Sequence, residues 1–194
     1  PAEIWLYAIR SRWAWLMETD SRMNKLTSLK DAIGTHVHAG DLVYASGFTH
    51  LIPFAAGHEI IRQGISDLTL ARATPDLIYD QMVAAGCARK VIFSYIGNPG
   101  VGSLGRLREA IETGQLAWEE YSHFSMISRL QAGASGLPVM PMKATGAQDL
   151  ADRNPQFQKV ADPYTGEEGV VVPPLTPDVA IVHVQRADAQ GNAH

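Results

Sequence analysis

Cysteine is almost missing from this chain: one in 194 residues, Cys87. An internal disulfide is therefore excluded, and the count suits a reducing, cytoplasmic setting. Cys87 sits in an apolar stretch with no thiolate-stabilising feature, so it reads as an inert buried thiol. There is no cysteine pair, no His-x-x-x-His and no fixed-spacing carboxylate cluster, so no metal is expected. Long apolar runs are missing too. None approaches the ~20 residues of a membrane span. Basic excess is missing as well: the formal net charge is −4, which argues against nucleic acid and anionic membrane surfaces as partners. Repeats, low-complexity blocks and long linkers do not occur.

What is present is ordinary globular composition, 46% apolar and 19% charged, in a length that suits one domain. The first 22 residues differ in character. They hold Trp5, Trp13 and Trp15 beside Arg10, Arg12 and Arg22. Glu3 and the arginines interrupt any signal-peptide core. Residues 1–22 read as a non-native or poorly ordered extension, with Met23 as a start and 23–194 as the domain.

Short apolar runs alternate with helical patterns. A helix is expected over 28–39, with Leu29, Ile33 and Val37 on one face. Strands are expected over 42–46, 67–71, 90–95 and 178–184, and short ones over 139–142 and 170–172. Helices follow over 53–64, 75–86, 103–114 and 122–134, with Pro53 in a first turn and Ser103 as a cap. The stretch 145–169 is polar and turn-rich. Continuous apolar strands between helices mean a parallel sheet covered on both faces, an α/β fold.

In such a sheet, ligands bind at the carboxyl ends of strands. The first strand ends in Ser46-Gly47-Phe48-Thr49, followed by His50. Gly47 would let a ligand approach the backbone, whose N–H groups suit a phosphate or an oxyanion. A plain turn is the competing reading. The loop Asn98, Gly100, Val101 and Gly102 follows the third strand on the same edge. There Asn98 offers an amide donor. The histidines are read separately. His36 and His38 are two apart on a helix and cannot chelate together. His50 and His123 are possible cleft contacts, while His58 and His183 suit the surface or a satisfied core. Glu109, Glu112, Glu119, Glu120, Glu167 and Glu168 read as solvated faces.

Gly40-Asp41, then Ser46-Gly47-Phe48-Thr49 and Pro53, resembles a motif of family I coenzyme A transferases. The likeness is strongest to their α subunits, those of the glutaconate type especially. Further segments occur in the family's order: 28–33, 59–69, Asn98-Pro99-Gly100-Val101, Gly136-Leu137-Pro138 and 178–183. The resemblance implies a three-layer α/β/α fold of the NagB/RpiA-like type, and a chain that stops before the family's C-terminal part. It implies CoA as a substrate with no resident cofactor, and an acyl-CoA and a carboxylic acid as the reacting pair. It also implies a partner β subunit that carries the nucleophilic glutamate, with no catalytic residue in this chain. Substrate and CoA contacts would fall to Ser46, Gly47, Phe48, Thr49, His50, Asn98, Gly100, Val101 and Gly102. Ser46 departs from the commoner glycine. A CoA-thioester hydrolase of the same superfamily and a non-catalytic ligand-binding module remain alternatives. The hydrolase would want an acidic residue in the cleft, where His123 stands instead.

Overall fold

A computed structural model describes residues 25–47, 50–143 and 148–193. The expectation for residues 1–22 lies outside these, as do Phe48 and Thr49. The chain runs α1 (Leu29–His36), β1 (Leu42–Ala45), α2 (Phe54–Arg62), β2 (Leu68–Ala71), α3 (Leu77–Ala84), β3 (Ala88–Phe93) and α4 (Gly105–Glu112). It continues with β4 (Ala117–Glu120), α5 (His123–Ala134), β5 (Met140–Lys143), α6 (Gln148–Arg153), β6 (Gln158–Ala161), β7 (Glu168–Val172) and β8 (Val179–Ile181). No helix among the described residues is long and apolar enough to cross a membrane.

Five strands form one sheet in the order β4-β3-β2-β1-β8, and every pair is parallel. The chain steps outward from β1 to β4, then returns to lay β8 on the other side of β1. The strand order therefore reverses at β1. In an open parallel sheet that reversal opens a crevice at the carboxyl ends.

Side chains alternate between two cores. Val43, Ala45, Leu70, Val91 and Phe93 pack on the side of α1 to α4. Leu42, Tyr44, Ala71 and Ile92 meet Met126 of α5 and Val170 and Val172 of β7. Because both faces are buried, the strands read as unbroken apolar runs.

The second face differs from the expectation of one mainly parallel sheet. The runs near 140 and 170 pair antiparallel, in a separate sheet ordered β5-β7-β6. Its strand β6 is exposed at all four positions. It is held through backbone bonds to β7, so it carries no hydrophobic pattern to read.

Helix caps also separate local from long-range signals. Ser28 and Ser122 cap α1 and α5, accepting from the N–H of Asp31 and Ser125. The expected Ser103 cap is not used. The N-cap of α4 is Leu104, without a side-chain bond. Asp80 of α3 instead accepts from the Leu107 N–H at 2.8 Å, a cap lent by the neighbouring helix. Helix α1 stops at His36, so His38 lies beyond it. Cys87 is buried, and that burial pushes its thiol up, away from the reactive form.

Candidate functional site

The loop after β2, residues 72–76, ties the carboxyl edge of the sheet together. Arg72 donates from Nη2 to the Gly47 carbonyl, after β1, at 2.6 Å. The Ala73 carbonyl accepts from the N–H groups of Ser94 and Tyr95, after β3, at 2.9 and 3.0 Å. Thr74 Oγ1 pairs with Nε2 of His123, the first residue of α5, at 2.9 Å. Asp76 Oδ1 accepts from Asn98 Nδ2 at 2.8 Å and from the Leu77 N–H. Loops after four strands are thus fixed by one five-residue segment. No residue of that segment stands out in the sequence.

Ser46 and Gly47 follow β1 directly, with the Ser46 N–H donating to the Ile181 carbonyl of β8. Gly47 has φ +110, a region that favours glycine. A Cβ there would come within 2.6 Å of the Leu51 carbonyl oxygen. Main chain fills that side, so the turn itself demands glycine. Any ligand must meet the other face of the loop. His50 is exposed.

The second loop is built around Asn98. Its backbone pairs with Gly102, and its Oδ1 accepts from the N–H groups of Gly100 and Val101 at 2.7 and 3.2 Å. The amide hydrogen expected for a ligand is directed to Asp76 instead. Gly100, Val101 and Gly102 are exposed at the tip. Asn98 therefore shapes the loop and leaves its glycines as the open part.

Glu119 and Glu120 correct the reading of a solvated pair after a strand, because both lie within β4. Glu119 accepts from Lys90, from Tyr121 at 2.8 Å and from Arg129 at 3.3 Å. Burial alone would raise its carboxyl. The bonds from Lys90 and Tyr121, with the charges of Lys90 and Arg129, outweigh burial and hold it below its ordinary value. Glu120, the last residue of β4, lines a cleft of about 460 Å³ with Tyr95, Arg108 and Trp118. It is half-buried.

Buried polar side-chain atoms without a partner gather on the same edge. Among the described residues they are Arg72 Nε and Nη1, Ser94 Oγ and His183 Nδ1. Arg72 follows β2, Ser94 follows β3 and His183 lies two residues past β8. His183 is thus neither a surface group nor a satisfied one. His58, by contrast, is exposed and paired with Gln81 at 2.7 Å. Arg72 is only 1% exposed, with its guanidinium 5.9 Å from the Tyr79 ring centre. Burial raises the Tyr79 and Tyr44 hydroxyls, with Arg72 acting in the opposite sense. A buried, unpaired cluster at strand ends is where chemistry is sought. Polar residues such as arginine read from sequence as turn-formers, which hid this cluster.

Residues 26–194 match the model of the family described as coenzyme A transferase. The chain is 50% identical over 173 residues to the A subunit of 3-oxoadipate CoA-transferase from Pseudomonas knackmussii, covering 88% of this chain and 61% of that protein. It is 36% identical over 187 residues to the A subunit of glutaconate CoA-transferase from Acidaminococcus fermentans, covering 87% and 58%. The solved structure of that glutaconate enzyme superposes with a TM-score of 0.77 at 33% identity, covering 86% of this chain and 58% of the other. A variant of the decarboxylase AibA/AibB superposes with a TM-score of 0.73 at 32% identity, covering 81% and 61%. The chain thus spans about three-fifths of the length of the relatives it matches.

Proposed function

This chain belongs to the coenzyme A transferase family, and from that premise we propose that it is the α half of a two-subunit CoA transferase. The observation that carries the reading is the donor-rich carboxyl edge. One segment, residues 72–76, holds the Gly47 turn, the Asn98 loop and the start of α5 in one place. Such an edge presents N–H groups to an acyl oxygen.

In the proposed reaction a glutamate carried by the partner β chain attacks the thioester carbonyl of an acyl-CoA. The C–S bond breaks, CoA leaves as thiolate, and an acyl-glutamyl anhydride forms. The thiolate then attacks the glutamyl carbonyl, releasing the first acid and leaving a glutamyl-CoA thioester. The acceptor carboxylate reverses both steps and departs as its own CoA ester, regenerating the glutamate. No net proton moves. Negative charge develops on the carbonyl oxygen at each addition, and N–H donors at the edge formed by Ser46, Gly47 and Gly100 to Gly102 stabilise it there. Phe48, Thr49 and His50 continue that loop and fall within the proposed contact set. The two relatives are named for 3-oxoadipate and glutaconate, both dicarboxylic acids. A dicarboxylic acid is the class we assign to this chain.

The test is partner dependence. This chain alone should give no CoA exchange between several acyl-CoA donors and acids, and adding a β subunit should produce ping-pong exchange. Exchange by the chain alone would refute the division of labour.

One observation favours a hydrolase as the second reading. That chemistry wants an acidic residue in this chain's cleft, and Glu120 is half-buried in one. The AibA/AibB likeness also puts a decarboxylase on this fold. Glu120→Gln separates the readings: a transferase keeps its exchange rate, whereas a hydrolase loses thioester cleavage.

A further inference from the structure

Among the described residues, Arg72 is the buried cation without an anion. A guanidinium carries five N–H donors in a planar fork. The Gly47 carbonyl takes one hydrogen from Nη2, while Nε and Nη1 have no partner. Whichever Nη2 hydrogen is used, a complete pair of parallel N–H vectors remains, formed by Nη2 with either Nε or Nη1. A carboxylate fills that arrangement with two bonds.

The neighbours supply no counter-charge. Tyr79 donates to the Ala71 carbonyl and accepts from the Ala45 N–H. Burial raises both its hydroxyl and that of Tyr44, so both tyrosines stay neutral. Asp76, four residues on, is committed to Leu77 and Asn98. A lone buried charge is costly to hold, and an anionic ligand that completes the fork removes the cost. The position fits that use, because the guanidinium is bonded to the turn that lines the proposed acyl site.

We propose that Arg72 receives the carboxylate of the acid that is not joined to CoA, and so selects dicarboxylic over monocarboxylic acids. The inference rests on the function proposed above, in placing the acid at this edge. Arg72 is then a specificity residue that touches substrate away from the reacting carbonyl.

The first measurement uses the full wild-type chain with isotope-labelled arginine. The Arg72 Nε–H resonance is assigned by its loss in Arg72→Lys. Glutarate should shift it saturably and butyrate should not. Equal shifts from both acids, or none from either, would overturn the proposal. The second measurement uses the two-subunit enzyme. Arg72→Lys should raise KM for a dicarboxylic acid by about 10-fold or more, because a point charge replaces the planar fork. It should leave kcat within about 3-fold and leave KM for a monocarboxylic acid unmoved. An unmoved dicarboxylate KM overturns the assignment while leaving the transferase reading intact. A glutarate-dependent shift in a protein that never exchanges CoA does the reverse.

Discussion

Two arginines are buried in this chain, and they are buried differently. Arg129 of α5 is 5% exposed. Its guanidinium lies 4.3 Å from the Tyr121 ring centre, donates to the Pro173 carbonyl at 3.0 Å and pairs with Glu119 at 3.3 Å. Arg72 also lies near a tyrosine ring, but it has one carbonyl and no carboxylate. Arg129 belongs to the second face, where it joins α5, β4 and the loop before β8. Arg72 belongs to the carboxyl edge, at the reversal of strand order. The contrast teaches how to read a buried charge. A satisfied one is architecture, and an unsatisfied one at a strand end points outward to something it binds.

The largest effect expected from this contrast is on stability, on the Arg129 side. Arg129→Gln removes a buried partner of Glu119 and should cost about 3 kcal/mol. That is a fall in Tm of roughly 6–12 °C for a chain of this size. Arg72→Gln loses one hydrogen bond but no ion pair. Its Tm should move by no more than ~1 kcal/mol is worth, and its effect should appear in the KM for the acid. If Arg72→Gln unfolds the protein as readily as Arg129→Gln does, the distinction between the two is lost.

A smaller effect concerns acid. The Glu119 carboxyl titrates below its ordinary 4.5, so as pH falls the unfolded chain takes up this proton before the folded one. The stability it contributes is complete above that value and is lost as pH falls through the lowered value. Urea midpoints measured between pH 6 and pH 3 should show a shallower acid limb in Glu119→Gln. An unchanged limb would take Glu119 out of the network.

The smallest effect compares two serines. Ser125 is buried and paired with Ser122 Oγ at 2.8 Å, so Ser125→Ala should cost about 1 kcal/mol. Ser94 Oγ is buried without a partner. Ser94→Ala should change stability by less than ~0.5 kcal/mol or raise it. Chemical denaturation of both variants decides this.

How much of this can be read from residue order differs between the two regions. The parallel sheet is legible because 42–45, 68–71 and 90–93 are apolar runs closed by turn residues, and burial on both faces leaves that mark. The Gly47 turn and the start of α5 at His123 are legible from local chemistry. Strand β6 and helix α6 are not, since neither presents a buried stripe. The cap from Asp80 to α4 is hidden by 27 intervening residues. Glu119 reads as a surface group because Lys90 and Arg129 reach it only in the fold, from β3 and α5. Arg72 escapes notice for a similar reason: polarity in a loop suggests exposure, and only the fold shows that it is buried. Asn98 sits at the edge where its sequence context puts it, but its amide is engaged with Asp76.

The central claim is that the unpaired arginine serves a ligand and the paired one serves the fold. It is tested most directly by melting wild type, Arg72→Gln and Arg129→Gln side by side, each with and without saturating glutarate. The account predicts that Arg129→Gln melts well below wild type yet keeps the glutarate-dependent rise in Tm. It predicts that Arg72→Gln melts near wild type and loses that rise. A glutarate response surviving in Arg72→Gln, or lost only in Arg129→Gln, would contradict it.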